Sequence, residues 1–103
     1  ADGLVPIVQG RDMEVIQSIH LYQNYPNPFN PVTTIEFQIP NTDLVFLKIH
    51  DILGQEIETL IDQPLPAGWH QLHWDASNIP SGVYFYQLTA GNHQAVRKML
   101  LIK

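Results

Sequence analysis

Residues 33–50 read TTIEFQIPNTDLVFLKIH, and their apolar side chains recur every second position. Thr33, Ile35, Phe37 and Ile39 fall on one side, with Thr34, Glu36 and Gln38 on the other. After an interruption at Pro40–Asp43, Val45, Leu47 and Ile49 resume the alternation. Side chains of an extended chain point alternately to opposite faces, so this spacing predicts two half-buried strands joined by a turn. Phe46 lies on the otherwise polar face of the second strand and predicts partial cover there.

The same reading extends to both sides. AspIleLeuGly (51–54) reads as a turn, with Gly54 free to take positive φ. GluIleGluThrLeu (56–60) reads as a short strand, broken by ProLeuProAlaGly (64–68). TrpHisGlnLeuHisTrpAsp (69–75) alternates again, with His70, Leu72 and Trp74 on one face. ValTyrPheTyrGlnLeuThrAla (83–90) is apolar on both faces and belongs in the middle of a sheet. GlyAsnHis (91–93) predicts a hairpin into AlaValArgLysMetLeuLeuIle (95–102). About seven strands with turn signals every ~8–12 residues predict an all-β, antiparallel, immunoglobulin-like sandwich, with Trp74 in its core. The chain has no cysteine, so the Cys–Trp–Cys framework of antibody domains, disulfides and thiolate metal sites are excluded.

Residues 1–18 show no sustained period and read as a linker or the tail of a preceding domain, with a short helix over Arg11–Ser18. The chain starts at Ala1 rather than Met and has no basic-then-apolar leader, which is expected of a piece of a longer protein. The folded unit is then residues 19–103.

Length and composition bound the function. The 103 residues are 45% hydrophobic and 15% charged, which fits one folded domain with a modest core. A net charge of −5 argues against a nucleic-acid partner, which needs clustered bases on its phosphates. No apolar run reaches transmembrane length, so no direct membrane insertion is expected. Of the five bases, Arg97, Lys98 and Lys103 lie near the end of the chain and read as a solvated strand edge.

Ahead of the first long strand stands NYPNPFNP (24–31). Each proline fixes φ and removes a donor, and each residue before a proline is pushed toward extended conformations. Asn side chains can stand in for the missing backbone partners. The segment predicts a stiff, non-pairing collar, pinned over one end of the sandwich by Tyr25 and Phe29.

Residues able to carry chemistry are present without a constellation. His70 and His73, three apart on a strand, face opposite ways, which is poor for one metal ion. Asp75, Ser77 and Asn78 lack the spacing of a calcium loop and read as turn chemistry, with Asp75 stabilising the turn after Trp74. Glu56 and Glu58 read as a solvated strand face rather than a glycosidase pair. Ser77 and Ser81 lack the context of a nucleophile. No catalytic residue, metal or cofactor is expected. Trp69 lies opposite Trp74 and reads as partly packed under a loop. With Tyr22 or Tyr86 beside it, Trp69 also supports the alternative of a carbohydrate-binding or structural accessory module.

Six stretches in order carry a resemblance: NYPNPFNP (24–31), TTIEFQIP (33–40), DILGQEI (51–57), LPAGWHQLHWD (65–75), IPSGVYFYQL (79–88) and RKMLLIK (97–103). Together they resemble the type A C-terminal sorting domain of the type IX, or Por, secretion system. That module is similar to the immunoglobulin-like domain of flagellar hook-capping proteins. The family often carries a base after the glycine of the third stretch, where Gln55 stands here. The resemblance implies a non-catalytic signal, recognised in the periplasm by the outer-membrane secretion machinery of a Gram-negative bacterium. Its passenger is then secreted or attached to the cell surface. A sortase-like surface protease is implied as a second partner, cutting upstream of Ile19. The matching recognition elements are Pro26, Asn27 and Pro28, then Gly82 with Tyr84, then the basic residues Lys98 and Lys103. A rigid exposed surface including Tyr25 and Phe29 is expected beside them, with an unpaired edge on the last strand for strand addition.

Overall fold

The computed structural model describes residues 18–103, so the linker and most of the Arg11–Ser18 helix expected from the sequence lie outside the described residues. Seven strands follow in order: β1 (His20–Leu21), β2 (Val32–Ile39), β3 (Asp43–His50), β4 (Glu56–Leu65), β5 (Gly68–Asp75), β6 (Gly82–Ala90) and β7 (His93–Leu101). They form a three-stranded sheet, β1-β2-β5, and a four-stranded sheet, β4-β3-β6-β7. All strand pairs are antiparallel. The expected immunoglobulin-like sandwich is therefore the architecture found.

The alternation that predicts β2 and β3 sets their inward faces. Thr33, Ile35, Phe37 and Ile39 are buried, as are Val45, Leu47 and Ile49. From the same sheet as β3, and facing β2, β6 adds Tyr84, Tyr86, Leu88 and Ala90, and β7 adds Met99 and Leu101. β6 lies between β3 and β7, as its apolar character on both faces requires. Phe46 is half-buried on the outer face, with the Lys48 ammonium 5.5 Å from its ring centre.

The largest boundary difference from the sequence reading is in β4. β4 continues through Pro64 to Leu65, paired with β3 as far as Asp43. β4 is an edge strand, so the donor that Pro64 lacks can fall on the side facing no neighbour. Register shifts between Leu47 and Lys48 and between Ile49 and His50 mark bulges in this pairing, which twist an exposed edge away from further association.

The turns bear out their chemistry. Asp51 Oδ1 accepts from the Leu53 and Gln55 amides at 2.9 Å each, while Gly54 takes φ 84°. Asp75 Oδ1 accepts from the Ser77 amide at 2.9 Å and from the Ser77 hydroxyl. These donors hold the Asp75 carboxyl below its ordinary range, with a small further effect from Lys103.

Each side of the sandwich is closed by bonds between the sheets. On one side the Trp74 indole donates to Glu58 Oε1 at 3.2 Å, tying β5 to β4. On the other, Arg97 Nε donates to the Leu21 carbonyl at 2.8 Å, tying β7 to β1.

Candidate functional site

The collar between β1 and β2 lies along the outer edge of β7. In the β6–β7 hairpin, His93, Ala95, Arg97, Met99 and Leu101 stand opposite Ala90, Leu88, Tyr86, Tyr84 and Gly82. The backbone groups of the alternate residues Lys98, Leu100 and Ile102 turn outward, and the collar meets them one after another. Gln23 Nε2 donates to the Lys98 carbonyl at 2.8 Å. Asn27 Oδ1 accepts from the Leu100 amide at 3.0 Å. The Phe29 amide donates to the Leu100 carbonyl at 3.0 Å, and the Ile102 amide donates to the Phe29 carbonyl at 2.9 Å. At the other flank, Tyr25 exchanges amide and carbonyl bonds with Thr34 at 3.0 and 2.8 Å.

The expectation of a non-pairing collar is thus corrected. Prolines cannot donate, but the residues between them can. Tyr25 pairs with β2 and Phe29 with β7, while asparagine and glutamine side chains fill the remaining places. The expectation of an unpaired last strand is corrected with it, because the stretch Lys98–Ile102 is already occupied.

The two aromatic residues of the collar differ sharply. Phe29 is 2% exposed and packs in the core with its ring centre 6.0 Å from that of Trp74, so it is a pin and not part of a surface. Tyr25 is 79% exposed, so its ring is displayed and only its backbone, paired with Thr34, holds the collar. Pro26, Asn27 and Pro28 beside it are exposed too.

Beneath the collar lies a polar knot that the sequence does not single out. Asn24 is buried, and its amide donates to the Tyr86 hydroxyl at 2.8 Å. Its side-chain Nδ2 donates to Thr33 Oγ1 at 2.9 Å and to the Pro26 carbonyl at 3.1 Å. The Thr33 hydroxyl also donates to the Pro26 carbonyl, at 2.9 Å. The Tyr86 hydroxyl donates to the Tyr22 carbonyl at 2.7 Å, so one phenol joins β6 to both residues. Burial pushes the Tyr86 hydroxyl up to about 12, against the opposing effects of the Asn24 amide and Arg97. The visible signal for Asn24 is its place in an Asn-rich, Pro-rich run, where side chains replace backbone partners.

The remaining expected recognition residues separate into interior and exterior. Gly82 opens β6 opposite Leu101. Tyr84 is buried, and its hydroxyl donates to the Pro80 carbonyl at 2.6 Å. A tyrosine near the start of this strand that bonds back to the preceding corner is a recurrent stabilising device of immunoglobulin-like sandwiches. Burial, and then the charge of Asp51, raise its hydroxyl above the ordinary tyrosine value. Lys103 is held at the same end, its amide on Ser81 Oγ at 2.9 Å and its Nζ on the Ser77 carbonyl at 2.7 Å. Lys98 is exposed on the outer face of β7. Of the basic residues near the chain end, Arg97 Nε and Lys103 Nζ each donate to a backbone carbonyl, whereas Lys98 stands free of such a bond among the described residues.

The histidines do not converge. His73 Nδ1 shares a hydrogen bond with Thr34 Oγ1 at 2.8 Å, and His70 Nε2 with the Pro66 carbonyl at 2.8 Å. Glu56 pairs with Lys48 at 3.3 Å and accepts from the Thr59 hydroxyl at 2.8 Å.

Comparison with known proteins adds the family. A family profile described as a secretion system C-terminal sorting domain matches residues 23–103. No curated protein matches the sequence. Among solved structures, the chain is similar to part of PorZ of Porphyromonas gingivalis, described as an essential bacterial surface component of the type-IX secretion system. The TM-score is 0.59 at 20% identity, over 81% of this chain and 11% of that chain, and the likeness is one of fold. The profile match takes in the collar, the tyrosine corner and the terminal strand together, and the chain belongs to the secretion system C-terminal sorting domains, the sorting signals of type IX secretion.

Proposed function

We propose that the secretion machinery reads a composite surface made by the exposed collar and the outer side of the terminal strand. Tyr25, Pro26, Asn27, Pro28 and Lys98 form this surface, whereas Phe29, Gly82 and Tyr84 hold the fold that presents it. The observation that carries this reading is the ladder from Gln23, Asn27 and Phe29 to Lys98–Ile102, which joins two distant parts of the sequence into one rigid face. A preformed face loses little entropy on docking.

As a type IX sorting signal, the domain works with that machinery and marks its passenger for export to the outside or the cell surface. Its family is non-catalytic. In the proposed sequence of events the domain folds in the periplasm. Residues 19–103 are the sorting unit and residues 1–18 the linker. A sortase-like surface protease cuts upstream of Ile19 after export. The test is an inert reporter fused ahead of this chain in a host with the machinery. Tyr25→Ala with Lys98→Glu is expected to leave folding intact and hold the reporter in the periplasm. Export of that variant at the unmodified level would remove the proposed surface.

A further inference from the structure

The outer face of the three-stranded sheet carries aromatic rings outside the surface proposed for sorting. Trp69 on β5 stands opposite Gln38 on β2, which stands opposite His20 on β1. Tyr22, just beyond β1, leans across the sheet, and its ring lies 5.2 Å from that of Trp69 with 9° between the planes. His20 continues the stack at 6.3 Å and 18°. The Tyr22 hydroxyl donates to Gln38 Oε1 at 3.1 Å, which fixes the ring. Trp69 is thus partly covered, and its cover is Tyr22 from the irregular segment after β1. Tyr86, the other neighbour considered for it, lies in the core.

With one indole face against Tyr22, Trp69 still keeps 61% of its surface exposed. An aromatic pair across neighbouring strands stabilises the sheet by itself, and the area that Trp69 leaves exposed is open to a ligand as well. Here one indole face stays open, and the ring behind it is already fixed.

We propose that Trp69, backed by Tyr22, is a stacking platform for a neutral pyranose unit of a glycan, with Gln38 and Gln71 serving its hydroxyls. The apolar C–H face of a pyranose matches the open indole by dispersion. Its hydroxyls both donate and accept, as do side-chain amides. Gln38 is directly opposite Trp69, and Gln71 lies two residues further along the same face of β5. Gln71 Nε2 donates to Glu36 Oε2 at 3.1 Å, so the platform has a carboxylate beside it. With a net charge of −5 overall, this disfavours an anionic sugar and a nucleic acid, whose bases would otherwise stack here equally well.

The test uses this chain and its tryptophan fluorescence. The two tryptophans separate cleanly, because Trp74 is 4% exposed and the solvent-sensitive signal belongs to Trp69. Cellohexaose and mannohexaose serve as neutral probes and an alginate hexamer as the anionic one. A saturable blue shift with at least one neutral probe is expected, with a weaker response to alginate. Trp69→Ala lacks the reporting ring, so its affinity and that of the unmodified protein are compared by titration calorimetry; it is expected to weaken binding by about tenfold or more while the protein still unfolds cooperatively. If Trp69→Ala loses its cooperative transition, the Gln38→Ala, Gln71→Ala double variant decides by the same tenfold criterion. No saturable response to either neutral probe, a stronger response to alginate, or affinity unchanged in the deciding variant would overturn the proposal.

Discussion

The Tyr84 hydroxyl reaches back 2.6 Å to the Pro80 carbonyl and clamps the corner through which the chain passes from β5 into β6. The sequence element Gly82–Val83–Tyr84 thus serves the fold before it serves any partner. Tyr84→Phe removes the bond and leaves a carbonyl without its donor, at an expected cost of about 1–2 kcal/mol. Urea unfolding checks this as a lower midpoint with an unchanged slope. Export should fall only as far as stability does.

Phe29 carries the collar's largest packing contribution. Phe29→Ala opens a cavity against Trp74 and Leu101, with an expected loss of about 3–5 kcal/mol. Tyr25→Ala, four residues earlier on an exposed ring, should change stability by less than about 0.5 kcal/mol. Thermal unfolding of the two variants side by side separates the pin from the displayed residue.

Gly91 turns the β6–β7 hairpin with φ 59°, and a Cβ built there would lie 2.6 Å from Asp43 Oδ2. Gly91→Ala adds a left-handed backbone cost of roughly 1–2 kcal/mol to this clash. Adding Asp43→Ala should recover the steric part and leave the backbone part. A double-mutant cycle by chemical denaturation measures the difference.

Tyr86 predicts a dependence on alkaline pH. Its hydroxyl is held neutral to about 12 in the folded protein, against an ordinary value of 10.0. A raised folded value means that its contribution is complete below about pH 10 and is lost as pH rises through about 12. Tyr84 shifts in the same direction, so the two add. Tyr86→Phe should be less stable at neutral pH, by about 1–3 kcal/mol, because the Tyr22 carbonyl and Asn24 amide lose their partner. Its stability should fall less steeply than that of the unmodified protein between pH 10 and 12. Equilibrium unfolding across that range tests both statements.

Local pattern made most of the fold legible. The faces of β2, β3 and β5, the central place of β6 and the hairpin at Gly91 all follow from alternation and turn chemistry. The passage of β4 through Pro64 does not, because whether a strand lies at an edge is decided by its neighbours in space. The collar shows the same limit. Tyr25 and Phe29 occupy similar Pro-flanked settings, yet one is displayed and the other buried. What separates them is contact with a strand far along the chain, as with Asn27 and Leu100, 73 residues apart. Asn24 and Tyr86 meet across 62 residues, beyond any local period. Exposure of Trp69 likewise depends on Tyr22 crossing a neighbouring strand to reach it.

The collar is seated on the terminal strand by side-chain as well as backbone bonds. Gln23→Ala with Asn27→Ala removes the two side-chain bonds holding the collar on Lys98 and Leu100 without entering the core. The decisive measurement is export of a reporter carrying this double variant, read beside its circular dichroism and thermal unfolding. Retention of the reporter by a cooperatively folded variant is the predicted result. Undiminished export with the collar shown by hydrogen exchange to have left β7 would contradict it.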